Sequence, residues 1–123
     1  MKFKDIYGDL SGAVYKGSFD CSNNNLTSLE GAPEVVRGYF RCANNNLTSL
    51  EGAPEVVKGN FDCSNNNLTS LEGAPGEVGG DFNCTNNNLT SLEGLPFQEV
   101  NRTDFSDSAL NEYMNAKYPH YLI

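Results

Sequence analysis

Four five-residue stretches alternate polar and apolar residues after a glycine: Gly17-Ser18-Phe19-Asp20-Cys21, Gly38-Tyr39-Phe40-Arg41-Cys42, Gly59-Asn60-Phe61-Asp62-Cys63 and Gly80-Asp81-Phe82-Asn83-Cys84. A period of two predicts a short strand in each, with Phe and Cys facing inward. Three asparagines follow within a small polar stretch. Then come Leu-Thr-Ser-Leu, Glu-Gly, and Ala-Pro in three copies or Leu95-Pro96 in the fourth. The cysteines Cys21, Cys42, Cys63 and Cys84 recur every 21 residues, without insertion or deletion. A fixed period of this size predicts a solenoid. Pro and Gly in every copy exclude a regular helix on the return path, which is therefore expected to be extended.

The two ends depart from the repeat. In residues 1–16, Leu10-Ser11-Gly12-Ala13 echoes Leu29-Glu30-Gly31-Ala32, and Tyr7 stands where Leu26 would. The step from Leu10 to Gly17 is two residues shorter than that from Leu29 to Gly38. These residues read as a degenerate half-repeat that caps the first coil, as a terminal repeat must. The spacing of Phe3, Ile6, Tyr7 and Leu10 also suits a short helix. Residues 97–123 read as a final incomplete coil followed by a capping helix. That helix starts at Ser106 or Asp107, carries Leu110, Tyr113, Met114 and Tyr118 on one face, and ends at Pro119. It would cover the last strand's open edge. The apolar tail His120-Tyr121-Leu122-Ile123 is expected to pack back on the helix or to act as a docking peptide. The chain is thus read as one domain, 1–123, with four repeats over 17–96.

The pattern Phe40-x-Cys42-x-x-Asn45-x-Leu47 resembles the leucine-rich-repeat signature, with Phe and Cys in the first two apolar positions. The likeness covers about two thirds of the chain, four times over. The 21-residue period is similar to the short bacterial variety of that family. The wording Cys-Ser-Asn-Asn-Asn-Leu-Thr-Ser-Leu-Glu-Gly-Ala-Pro resembles repeat proteins of bacteria and tailed bacteriophages. The resemblance implies a leucine-rich-repeat solenoid, α/β by family but mostly β here, with one parallel curved sheet and a convex side without regular helices. It assigns the middle asparagines, Asn24, Asn45, Asn66 and Asn87, to a structural ladder. Physics supports that assignment, because a stacked amide both donates and accepts and can serve the sharp turn after each strand. One departure stands out. Where the family has an apolar residue three before the first strand position, this chain has Lys16, Arg37, Lys58 or Gly79. Tyr15, Val36, Val57 and Val78, one residue earlier, are expected to take over the inward role.

Charge narrows the partners. The chain carries 8 Lys+Arg against 16 Asp+Glu, a net charge of -8. An acidic surface argues against nucleic acid, whose affinity rests on neutralising phosphates, and permits a cationic protein partner. No apolar run reaches the length of a membrane span, and no signal-peptide core follows Met1, so a cytoplasmic protein is expected. The cysteines occupy equivalent positions and would form a line about 14 Å long at strand spacing, too extended for one tetrahedral ion. They read as a ladder of reduced, buried thiols. Asn25-Leu26-Thr27 and its copies match the glycosylation sequon because the repeat recurs. In a cytoplasmic protein they would stay unmodified.

Little here suggests catalysis. The one histidine, His120, lies in the tail, and no nucleophile-base set or phosphate loop can be assembled. No cofactor is implied. The column Glu30, Glu51, Glu72 and Glu93 reads as a solvated acidic ridge whose members raise one another's pKa, or as a contact strip for a basic partner. Solenoids bind through outward strand residues that do not hold the core. Those are Ser18, Asp20 and Ser22; Tyr39, Arg41 and Ala43; Asn60, Asp62 and Ser64; Asp81, Asn83 and Thr85. Tyr39 and Arg41 stand out, because aromatic and arginine side chains are the usual interface anchors. The competing reading holds Arg41 between Asp20 and Asp62 as a cross-strand pair. The leading expectation is a non-enzymatic protein-interaction module, monomeric or weakly self-associating. Its sheet face around Tyr39, Arg41, Asp20, Asp62, Asn60, Asp81 and Asn83 would bind a target, a host protein if the chain acts as a bacteriophage product. The alternatives are an acidic decoy for a basic nucleic-acid-binding surface and a structural or assembly role.

Overall fold

The computed structural model describes residues 1–91, Gly94 and the backbone of 102–104. The predicted capping helix and the tail lie outside the described residues. The chain winds into a parallel β-solenoid of about three turns, with almost no helix. A short helix α1 (Phe3–Tyr7) comes first. The strands follow as β1 (Val14–Tyr15), β2 (Phe19–Asp20), β3 (Val35–Val36), β4 (Phe40–Arg41), β5 (Val56–Val57), β6 (Phe61–Asp62), β7 (Glu77–Val78), β8 (Asp81–Asn83) and β9 (Arg102–Asp104).

Two parallel sheets result. An aromatic sheet runs β2-β4-β6-β8-β9, and a valine sheet runs β1-β3-β5-β7. The return path, expected only to be extended, is itself paired into this second sheet. Phe19 aligns with Phe40 and Phe40 with Phe61, a step of one repeat per coil. The third side carries the leucines, where Asn46 N donates to Leu26 O at 2.8 Å and Asn67 N to Leu47 O at 2.9 Å.

Identical coils stack identical side chains. The rings of Phe19, Phe40, Phe61 and Phe82 follow one another with centroids 6.1, 5.9 and 5.3 Å apart. Cys21, Cys42 and Cys63 and the leucines 26, 29, 47, 50, 68 and 71 are fully buried around them. Each Phe or Leu so buried contributes about 1.5–3 kcal/mol. Val36, Val57 and Val78 are fully buried, as expected, but Tyr15 remains 39% exposed. At the first coil no preceding coil covers it, and its ring meets the edge of Phe19 at 4.9 Å. Phe3 and Tyr7 of α1 close the same end, with ring centroids 5.1 and 5.0 Å from Phe19.

Two backbone devices let the coils close. The first asparagine of each triplet, Asn23, Asn44, Asn65 and Asn86, has positive φ, a conformation that asparagine tolerates better than most residues. Gly52, at φ 90°, packs so closely that a Cβ would lie 2.7 Å from Glu30 N in the preceding coil. Only glycine meets both demands.

Below the turn, the middle asparagines serve the backbone. Asn45 Oδ1 accepts from Asn24 N at 3.0 Å and Leu26 N at 2.9 Å, and its Nδ2 reaches Cys21 O at 3.1 Å and Cys42 O at 3.0 Å. Asn66 repeats this, accepting from Leu47 N at 3.0 Å and donating to Cys42 O at 3.0 Å and Cys63 O at 3.1 Å. Asn87 accepts from Leu68 N at 3.0 Å. Asn24, at the open end, instead donates to Tyr7 Oη at 3.1 Å.

Candidate functional site

The outward face of the aromatic sheet has three columns. The column nearest the turn does not face solvent as expected: Ala43 and Ser64 are buried. The strands β4 and β6 end one residue before the inward cysteine, so two-residue alternation no longer governs Ala43 and Ser64.

The middle column divides sharply. Asp20 Oδ1 accepts from Ser22 N, Asp62 Oδ1 from Ser64 N and Asn83 Oδ1 from Thr85 N, each at 3.0 Å. These are Asx turns, in which the side chain satisfies the backbone two residues on. The hydrogen bonds from the Ser22 amide and hydroxyl, and then Arg41, hold the Asp20 carboxyl below its ordinary pKa. Arg41 has no acceptor to offer. Ala43 N turns instead to Ser22 Oγ in the preceding coil, at 3.1 Å.

The first column behaves the same way. Ser18 Oγ accepts from Tyr39 N at 3.0 Å, and Asn60 Oδ1 accepts from Asp81 N at 2.8 Å. Tyr39, between them, is 41% exposed. Among the residues singled out from the sequence, Asp20, Asn60, Asp62 and Asn83 therefore hold the backbone. Tyr39 and Arg41 accept no such bond. Residue type had set Tyr39 and Arg41 apart in the sequence, but nothing there showed that the other four hold the backbone.

Arg41 lies between two carboxylates, with Nη1 3.7 Å from Asp20 Oδ2 and Nε 3.5 Å from Asp62 Oδ2. Both distances exceed good hydrogen bonds. With the guanidinium half exposed, such pairs are worth about 0–1 kcal/mol. A partner could therefore draw Arg41 away at little cost. Tyr39, Arg41, Asn60, Asp62, Asp81 and Asn83, with Phe61, line a half-open depression of about 230 Å³. Asp20 is not part of that lining. Small-molecule sites usually run from about 300 to 1,000 Å³. The depression lies a little below that range.

The acidic column behaves differently from the expectation at its first member. Glu30 meets Lys2 Nζ at 2.7 Å and Lys4 Nζ at 3.4 Å. Its carboxyl is held below the ordinary value, first by the hydrogen bond from Lys2. Glu51 and Glu72 are exposed, and Glu93 lies outside the described residues. The four cysteines are buried and form no disulfide. Burial pushes Cys21 up to about 12, and Cys42 and Cys63 well above the ordinary thiol range. Among the described residues, no group of three or more His, Cys, Asp or Glu is arranged to hold a metal ion. No helix there is long and apolar enough to cross a membrane.

Fold and face together define the class: a parallel β-solenoid repeat protein with one outward sheet face set apart by its second coil. No family model, no curated protein and no solved structure matches the chain.

Proposed function

We propose that the chain is a non-enzymatic protein-interaction module of the short leucine-rich-repeat kind, which binds a protein through the aromatic sheet around Tyr39 and Arg41. One observation carries this reading: the second coil presents two large outward side chains, Tyr39 and Arg41, that accept no backbone hydrogen bond, whereas Ser18, Asp20, Asn60, Asp62 and Asn83 all do. Large side chains free of structural duty beside a small depression are what interface anchors require. The resemblance to bacteriophage repeat proteins makes a cytoplasmic protein of a bacterial host the target.

The test is affinity capture from bacterial lysate, with wild type beside the Tyr39→Ala/Arg41→Ala double variant at low and moderate salt. A partner kept at moderate salt and lost with the double variant is the expected result. Partners that wash off with salt irrespective of the variant would replace this reading with an acidic decoy. No partner, with self-association in the folded protein, would replace it with an assembly role.

A further inference from the structure

The aromatic sheet ends at β2, and its outer edge is unpaired among the described residues. Hydrogen-bond accounting locates the vacancy. In inner coils the carbonyls of Tyr39 and Asn60 accept from Phe19 N and Phe40 N, both at 2.9 Å. Those of Arg41 and Asp62 accept from Cys21 N and Cys42 N, both at 2.8 Å. The equivalent carbonyls in the first coil belong to Ser18 and Asp20, and no described residue donates to them. On a strand, a residue's N–H and C=O point to the same side, so four backbone groups of Ser18 and Asp20 face outward together. The edge stops there. Ser22 N is taken by Asp20 Oδ1 at 3.0 Å, and Ser22 O accepts from Asn24 Nδ2 at 3.2 Å.

We propose that this edge is a strand-addition site for an extended basic segment of a partner protein, independent of the face at Tyr39 and Arg41. Main-chain bonds to a sheet edge supply affinity, and alternate side chains supply selectivity. The chain's own second coil shows what fits. Opposite Asp20 lies Arg41, within ion-pair distance. The outer side of Asp20 offers the same charge to a second cation. Opposite Phe19 the inward space is already filled by Phe3, Tyr7 and Tyr15, whose ring centroids lie 5.1, 5.0 and 4.9 Å from Phe19. The incoming residue there must be Gly or Ala. The half-exposed Tyr15 ring gives the segment an apolar flank. A second copy of this chain is a poor occupant. Two β2 edges bonded through Ser18 and Asp20 would run antiparallel and bring the two Asp20 carboxylates onto one face as opposite or diagonal neighbours, and each copy carries a net charge of -8.

The experiment titrates the full chain with a capped peptide, acetyl-Gly-Tyr-Ala-Arg-Gly-amide, and with the same peptide N-methylated at its Ala nitrogen, which this register places against Ser18 O as Phe19 N lies against Tyr39 O. Amide resonances and hydrogen exchange are followed by NMR. Shifts and slowed exchange at Ser18 and Asp20 are expected, with affinity falling about tenfold on N-methylation because one ladder bond is lost. Asp20→Asn, which retains an acceptor for Ser22 N as Asn83 does for Thr85 N, should weaken binding about threefold. Equal binding of the methylated peptide would overturn strand addition. So would silence at Ser18 and Asp20, or shifts confined to the Tyr39–Asn83 face. Dimerisation through this edge without peptide would overturn the choice of occupant. The comparison of the two peptides uses wild-type protein, so it decides the matter even if Asp20→Asn fails to fold.

Discussion

The second and third coils share one backbone and differ in what their outer side chains do. Inward, the two are copies. The rings of Phe40 and Phe61 stack 5.9 Å apart and 8° from parallel, and Cys42, Cys63, Asn45 and Asn66 are buried alike. Outward, Asn60 and Asp62 receive backbone N–H groups from Asp81 and Ser64. Tyr39 and Arg41 receive none, and Ser22 of the coil below takes over the duty for Ala43. The comparison teaches that exposure alone does not mark a functional residue in a repeat protein. An exposed aspartate can be as structural as a buried leucine. What counts is whether a neighbouring N–H depends on it.

The comparison can be broken at several depths. The deepest layer is common to both coils, so Asn45→Ala and Asn66→Ala should destabilise alike, by about 3 kcal/mol each, through stranded buried groups such as Leu47 N. Equilibrium denaturation of the two variants checks this, and unequal losses would mean that the inner halves are not equivalent. The thiols form the next layer. Burial raises Cys21 to about 12 and Cys42 and Cys63 in the same direction. The unfolded thiols ionise near pH 8.5, so above that pH the native state holds more protons than the unfolded one. The stability is complete below about pH 8.5 and falls as pH rises toward 12, by about 1.4 kcal/mol per pH unit for each thiol kept neutral. Denaturation midpoints between pH 8 and 11 read this. A thiol reagent at pH 8 should modify the cysteines no faster than the protein unfolds.

The outer layer is where the coils should separate. Asp62→Ala leaves Ser64 N without its acceptor and should cost about 1 kcal/mol. Asp62→Asn should cost less than about 0.5 kcal/mol, because Asn83 makes the same turn in the next coil. Arg41→Ala should leave stability within about 0.5 kcal/mol of wild type while removing partner capture. The sharpest variant, Arg41→Asn/Ala43→Ser, rewrites the second coil in the manner of its neighbours. It should change stability by no more than about 0.5 kcal/mol, and it should abolish capture as completely as the alanine double variant. Capture that survives this rewriting would move the site away from Arg41.

Much of the fold was legible in the chain. The period, the inward Phe, Cys and Leu positions and the extended return follow from identities repeated at fixed spacing, because stacked copies must bury the same residues. The inward roles of Val36, Val57 and Val78 were also readable, since they are the apolar residues nearest the departure from the family pattern. Tyr15 was not, because its exposure depends on the absence of a described coil beneath it. The site was legible only as a set. Residue type drew attention to Tyr39 and Arg41, but nothing in the chain showed that Asp20, Asn60, Asp62 and Asn83 beside them are held by the backbone.

What the sequence determined by itself is periodic: which residues face inward, and that the coils stack in register. What only the tertiary structure decided is relational. It paired the return path into a second sheet, gave the first asparagine of each triplet its left-handed turn, buried Ala43 and Ser64, and left the edge of β2 open. It also sorted the outward side chains into those that hold the backbone and those that do not. The physical reason is reach. Hydrophobic facing is set by a residue's own chemistry and its place in the strand. The acceptor that a given N–H finds can lie two residues away, as Asp62 does for Ser64, or a whole coil away, as Ser22 does for Ala43. Only the stacked geometry selects between them.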